Sequence, residues 1–159
     1  MRINSFIENY TGITNSMLQD APPVAEVMAE FAGFVGGHNL VAHNASFDQR
    51  FLRAELKRIQ TPCNNPFSCS MLAARRLYQL APNHTLGGLV EYKNIPTDGV
   101  FHRALADAEM TAKLWLVMLE DIAQVYQVSS FSFTLMQQLT TIPKQSVLRF
   151  FRQVSTSTQ

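Results

Sequence analysis

The side chains whose types and spacing point most directly to chemistry lie between Phe101 and Thr111, where His102 stands five residues before Asp107. The stretch reads as a loop entering a long helix from Ala104 to Gln124. On that helix Met110, Thr111, Leu114 and Met118 fall within about 60° of Asp107 at 3.6 residues per turn. The carboxylate therefore lies in line with the apolar stripe that faces the core. A charge in that position needs a partner, because burying a bare carboxylate is too costly. A metal ion is one such partner, and His102 is placed to reach the same point. The alternative is a capping aspartate at the core edge and a loop histidine with no role. Spacing alone leaves the two readings open.

A second polar cluster follows a short apolar run. Leu40-Val41-Ala42-His43 reads as a buried strand, and Asn44-Ala45-Ser46-Phe47-Asp48 leads from it into a helix. Asp48 precedes Phe51 and Leu52 by three and four residues, so it points along the edge of that helix's apolar face, which Leu56 continues. Polar groups at the carboxyl end of a strand are where sites form in open α/β folds. Arg50, Arg53, Lys57 and Arg58 give the helix a basic character. Each of these is a solvated surface charge by default and a phosphate contact by alternative.

The elements that must position these groups are ordinary in composition. The 159 residues are 47% apolar and 16% charged, which places the chain among globular proteins of one-domain size. A formal net charge of +1 excludes a strongly basic nucleic-acid binder while leaving room for a local basic patch. Beyond Asp121 there is no acidic residue, whereas Lys144, Arg149 and Arg152 remain. Cys63 and Cys69 have no nearby histidine, which suits reduced thiols and a cytoplasmic location. No apolar run approaches the length of a membrane span.

Local signals divide the chain further. Tyr10 to Thr14 is a turn, followed by a short helical piece from Asn15 to Leu18. Ala21-Pro22-Pro23 opens a helix whose buried stripe is expected to be Val24, Val27, Met28, Phe31 and Val35, ended by Gly36-Gly37. Pro66 to Cys69 is a second short strand. Ser70 is expected to cap a helix from Met71 to Leu80, and Thr85 one from Leu86 to Tyr92. His84 reads as a turn or capping residue. Two short amphipathic helices, Ser132–Thr141 and Lys144–Gln153, precede a disordered end from Ser155. The expected division is residues 1–125 as the main domain and 126–159 as a helical extension with a tail, packing on the domain or on a partner.

In order and spacing these pieces resemble the DEDDh 3′–5′ exonucleases, the group that includes the epsilon proofreading subunit of DNA polymerase III. His43-Asn44-Ala45-Ser46-Phe47-Asp48 resembles their second motif, and His102-Arg103-Ala104-Leu105-Ala106-Asp107-Ala108 their third. Tyr10-Thr11-Gly12-Ile13-Thr14 and Asp20-Ala21-Pro22 are supporting matches, and the resemblance covers roughly residues 2–120. It implies a ribonuclease-H-like α/β fold and hydrolysis of single-stranded DNA or RNA 3′ ends to nucleoside monophosphates, in replication, proofreading or repair. It further implies two Mg²⁺ or Mn²⁺ ions clamping the scissile phosphate. Asp107 and Asp48 would be metal ligands and His102 the general base, a role that an imidazole with an unperturbed pKa near 6.5 suits. His43, Asn44, Phe47 and Arg103 would lie with the substrate. Phe47 has a helical spacing to Phe51 that reads more readily as core than as a stacking platform. A polymerase subunit is the implied protein partner.

The chain departs from the family at its first motif, an Asp-x-Glu on the first strand. Its one Asp-x-Glu is Asp107-Ala108-Glu109, on a helix where the two side chains diverge by about 200°. Glu109 therefore cannot substitute. The fold expected is an N-terminally truncated, helix-rich version lacking the first three strands, with impaired hydrolysis, either as a fragment from an internal start or as a reduced relative that needs a partner. The alternative is a catalytically inactive module that binds nucleic acid or a polymerase. A phosphohydrolase of the His-Asp type ranks last, because no His-Asp dipeptide occurs.

Overall fold

The computed structural model describes residues 2–97, 104–128 and 130–157. Short-range chemistry sets the ends of the first two helices. Helix α1 (Ser5–Thr11) starts at Asn4, whose side-chain oxygen accepts from the Ile7 amide at 3.0 Å. It ends at Gly12, which takes the left-handed conformation at φ 69° and donates its amide to the Glu8 carbonyl. Helix α2 (Val24–Val35) follows the Pro22-Pro23 pair and is broken at Gly36, at φ 51°.

Strands β1 (Leu40–Ala42) and β2 (Phe67–Cys69) pair in parallel, with Leu40 opposite Phe67 and Ala42 opposite Cys69. Between them runs α3 (Ser46–Arg58), as a parallel pair requires a crossover. The Asn65 amide donates to the Gly36 and His38 carbonyls, both at 2.9 Å, which ties together the two approaches to the sheet.

The remaining helices are α4 (Ser70–Leu77), α5 (Leu86–Tyr92), α6 (Ala104–Tyr126), α7 (Phe133–Thr141) and α8 (Val147–Ser157), with a 3₁₀ turn at Lys144–Ser146. Thr85 and Ser132 cap α5 and α7, each accepting from the amide three residues on. The core lies among α4 to α8. Met110, Leu114, Met118 and Ile122 of α6 are buried against Ala73, Ala74, Leu89, Met136, Leu139, Val147 and Phe151. Helix α6 also packs on β1, and α7 packs on β2, where the Gln137 amide donates to the Phe67 carbonyl at 2.7 Å. The helices after Ser132 thus pack on the domain itself. Helix α8 runs to Ser157, past the point where a disordered end was expected, and its inner face reaches the core through Val147 and Phe151.

Three other expectations are corrected. Ser70 is not a cap: it lies inside α4 with its side chain wholly buried, and the helix stops at Leu77 because Tyr78 turns out of it at ψ 60°. Of the α2 stripe only Met28 and Val35 are buried, while Val24, Val27 and Phe31 are exposed. Phe34 is 84% exposed. The physical reason is that a two-stranded sheet offers too little surface to cover both α2 and α3, which pack mainly on each other. Among the described residues no helix is long and apolar enough to cross a membrane.

Candidate functional site

The end of β1 is built to turn sharply. Asn44 adopts φ 66°, the left-handed region that asparagine tolerates better than most residues, and its carbonyl accepts from the Phe47 amide at 3.3 Å. Ala45 is buried beneath the turn, and Asp48 emerges exposed on the first turn of α3. A carboxylate there is favoured by the partial positive charge at the helix N-terminus.

Asp107 occupies the equivalent place on α6. It is half-buried on the first turn, and Met110, Thr111, Leu114 and Met118 in line behind it are all buried, as the spacing predicts. Each acidic side chain is therefore carried on the opening turn of a helix tied to β1, α3 by direct chain continuity and α6 by packing.

His43 is held from both sides. Its Nε2 lies 2.9 Å from the His84 carbonyl, which can only accept, so Nε2 carries the proton. In the neutral ring Nδ1 is then the acceptor, and the Ser70 hydroxyl at 2.9 Å donates to it. Burial lowers the His43 pKa below the usual histidine value. The bond to the His84 carbonyl opposes that shift, and the positive fields of His84 and Arg75 add to it. The ring nitrogens that a direct substrate contact would use are both engaged inside the fold.

His84 continues the chain of bonds, with Nε2 at 3.1 Å from the Tyr78 carbonyl. The Tyr78 hydroxyl donates to Asp121 Oδ2 at 2.5 Å, and Lys93 Nζ lies 2.8 Å from the same oxygen. Burial, then the bond to Asp121, raises the Tyr78 pKa well above the ordinary phenol range. These bonds join the end of β1 to the C-terminal part of α6. Those from His43 to Ser70, from His43 to His84 and from Tyr78 to Asp121 link residues 27, 41 and 43 positions apart, so no local pattern announces them.

Phe47, expected in the core, is 66% exposed, and Phe51 beside it is 55% exposed. His102 and Arg103 lie outside the described residues. Close to Asp107 along α6, a cavity of about 280 Å³ is lined by Pro96, Thr97, Ala106, Glu109, Met110 and Lys113.

Asp48 and Asp107 are hard oxygen donors of the kind Mg²⁺ and Mn²⁺ prefer. Among the described residues, however, no group of three or more His, Cys, Asp or Glu side chains stands close enough to hold an ion. By type the two carboxylates suit a divalent cation, but by number they do not complete its ligand set.

The chain is similar to known proteins. The family model RNase T, described as exonuclease, matches residues 1–115. A DNA polymerase III PolC-type protein of Caldanaerobacter subterraneus subsp. tengcongensis is 35% identical over 144 residues, 89% of this chain and 10% of that protein. DNA polymerase III subunit epsilon of Aquifex aeolicus is 33% identical over 126 residues, 79% of this chain and 62% of that subunit. The chain therefore spans about a tenth of the PolC-type relative's length and less than two thirds of the epsilon subunit's. Among solved structures, Exonuclease X in complex with 5′ overhanging duplex DNA superposes with a TM-score of 0.61 at 25% identity, covering 88% of this chain and 75% of that one. The helix-rich α/β architecture with its two-stranded sheet matches a ribonuclease-H-like exonuclease fold in reduced form.

Proposed function

Because the chain belongs to this exonuclease family, the DEDDh group that includes polymerase III epsilon subunits, we propose that it serves metal-dependent 3′–5′ hydrolysis of single-stranded DNA ends, in proofreading or repair. The observation that carries this reading is the turn at Asn44. It converts the end of a parallel strand directly into a helix with an exposed first-turn carboxylate, at the position where the second family motif falls.

Asp48 and Asp107 are the acidic ligands this segment contributes. His102 is the general base that takes a proton from the attacking water, a contribution of about 10² to 10⁴ in rate. Asn44, Phe47 and Arg103 meet the substrate strand, and the exposure of Phe47 supports a stacking role. His43 acts by position: its two bonds hold the strand end from which Asn44 and Asp48 project. Residues 1–125 carry the catalytic groups, and residues 126–159 support them.

Two carboxylates cannot hold a pair of divalent ions in register, so residues 1–159 alone are expected to turn over slowly. Further acidic ligands are required, and a polymerase subunit is the partner in keeping with the relatives. A second reading is favoured by the same incomplete donor set: a module that binds single-stranded nucleic acid or a polymerase without cutting.

The experiment compares this chain with one carrying about 50 additional upstream residues, on 3′-labelled oligonucleotides with Mg²⁺ or Mn²⁺. Faster release of nucleoside monophosphates by the longer chain supports the proposal. Equal and rapid digestion by both would show that the ligand set is complete within these residues. Oligonucleotide binding without turnover in either chain would favour the binding module.

A further inference from the structure

Charge is distributed unevenly over the fold. Residues 49–90 contain six basic side chains and one acid, Glu55, in a chain whose net charge is +1. That acid is buried and already neutralised, since Arg58 Nη1 lies 2.7 and 3.0 Å from its two carboxylate oxygens. Arg53 and Lys57, one turn apart on α3, are exposed and have no carboxylate partner among the described residues. Together with Gln60, Thr61, Pro62 and Cys63 they line a concavity of about 420 Å³. Its floor is fixed: Gln60 turns through φ 56°, and the Thr61 amide returns to the Leu56 carbonyl at 2.9 Å.

The route to this concavity is continuous with the candidate site. Going round α3 from Asp48 at about 100° per residue, Phe51, Phe47, Arg50, Lys57 and Arg53 follow one another within roughly 220°. All six are exposed. A carboxylate is succeeded by two aromatic faces and then by three cations, the order that a single strand with stackable bases and charged phosphates would meet. Round the surface of the helix this path is roughly 20 Å long, a span of several nucleotides. The bland account of Lys57 is that a cation suits the last turn of a helix. That account does not explain Arg53, which lies before the last turn, or the concavity.

The geometry points to a polynucleotide anchor at the Arg53–Lys57 groove, which holds backbone phosphates of the strand several nucleotides from the end presented to Asp48. The inference rests on the nuclease reading and adds the path of the strand away from the cut.

The test is fluorescence anisotropy of a labelled twelve-nucleotide oligothymidylate in EDTA, with the 159-residue protein, over a salt series. The matched-charge comparison is R53Q/K57Q against R149Q/R152Q, whose arginines are exposed on α8. The groove variant is expected to lose about tenfold or more in affinity at low salt. Its slope of log K against log salt should be shallower by about 1.4, two phosphate contacts at about 0.7 each. The α8 variant should bind as the unchanged protein does. Equal losses in both variants would reduce the groove to general electrostatics and overturn the inference. So would tight binding by the unchanged protein that R53Q/K57Q retains, and that result would leave the nuclease reading standing. Failure of the unchanged protein to bind the oligonucleotide would overturn both. Binding of polyglutamate in place of the oligonucleotide would assign the groove to an acidic protein partner and overturn the inference.

Discussion

Replacing Phe151 by alanine is expected to be one of the most destabilising single changes in the chain, although it lies far along the sequence from either nuclease motif. The ring is 1% exposed. It stacks on Tyr126 at 3.9 Å between centroids and meets Phe131 and Phe150, each at 5.4 Å. Truncating a fully buried phenylalanine costs about 3–5 kcal/mol, and the lost aromatic pairs put this site toward the upper end. Against a typical stability of about 5–15 kcal/mol, that is a large fraction. For a domain of this size the melting midpoint should fall by roughly 10–15 °C. Leu148, three residues earlier on the same helix and 54% exposed, is the control. Its replacement by alanine should cost no more than about 1 kcal/mol. The assay is thermal unfolding by circular dichroism on both variants. If Leu148→Ala unfolds early and Phe151→Ala matches the unchanged protein, α8 presents the other face to the core and the packing described above is wrong. By the same reasoning, deletion of residues 142–159 would strip Val147 and Phe151 from the core and should abolish cooperative unfolding.

Two further outcomes are expected. In a chain whose metal-dependent digestion has been demonstrated, Asp107→Ala should abolish that digestion, whereas His102→Ala should slow turnover by about 10² to 10⁴ and leave metal affinity nearly intact; matching losses of metal affinity, measured by calorimetry, would refute the general-base role. Folding depresses the His43 pKa, so the stability that the neutral ring contributes is complete above about pH 6.5 and is lost as pH falls toward the folded-state value. The gap in melting midpoint between the unchanged protein and His43→Gln should therefore shrink between pH 7.5 and 5, and a constant gap would mean that the ring is not held neutral.

Where one residue's chemistry acts on its immediate neighbours, the sequence was sufficient. The Thr85 cap, the break at Gly36, the alignment of Asp107 with a buried row and the strand leading into Asn44 were all legible, because each depends on fewer than a dozen consecutive residues. The motifs carried the family for the same reason, since each is a run of no more than seven consecutive residues. Tertiary structure alone decided what those pieces touch. Helical periodicity marks an apolar stripe on α2 but cannot say whether anything covers it, and Val24, Val27 and Phe31 are left exposed. Ser70 reads in the sequence as a cap. Its hydroxyl instead goes to His43, 27 residues away, because the parallel pairing of β1 with β2 brings the two strand ends side by side. Phe47 and Phe51 share a helical spacing with Leu52 and Leu56, yet only the side of α3 turned toward the rest of the fold is buried. A period gives the direction of a face; the partner that buries it is set by contacts distant in sequence, which no local pattern encodes.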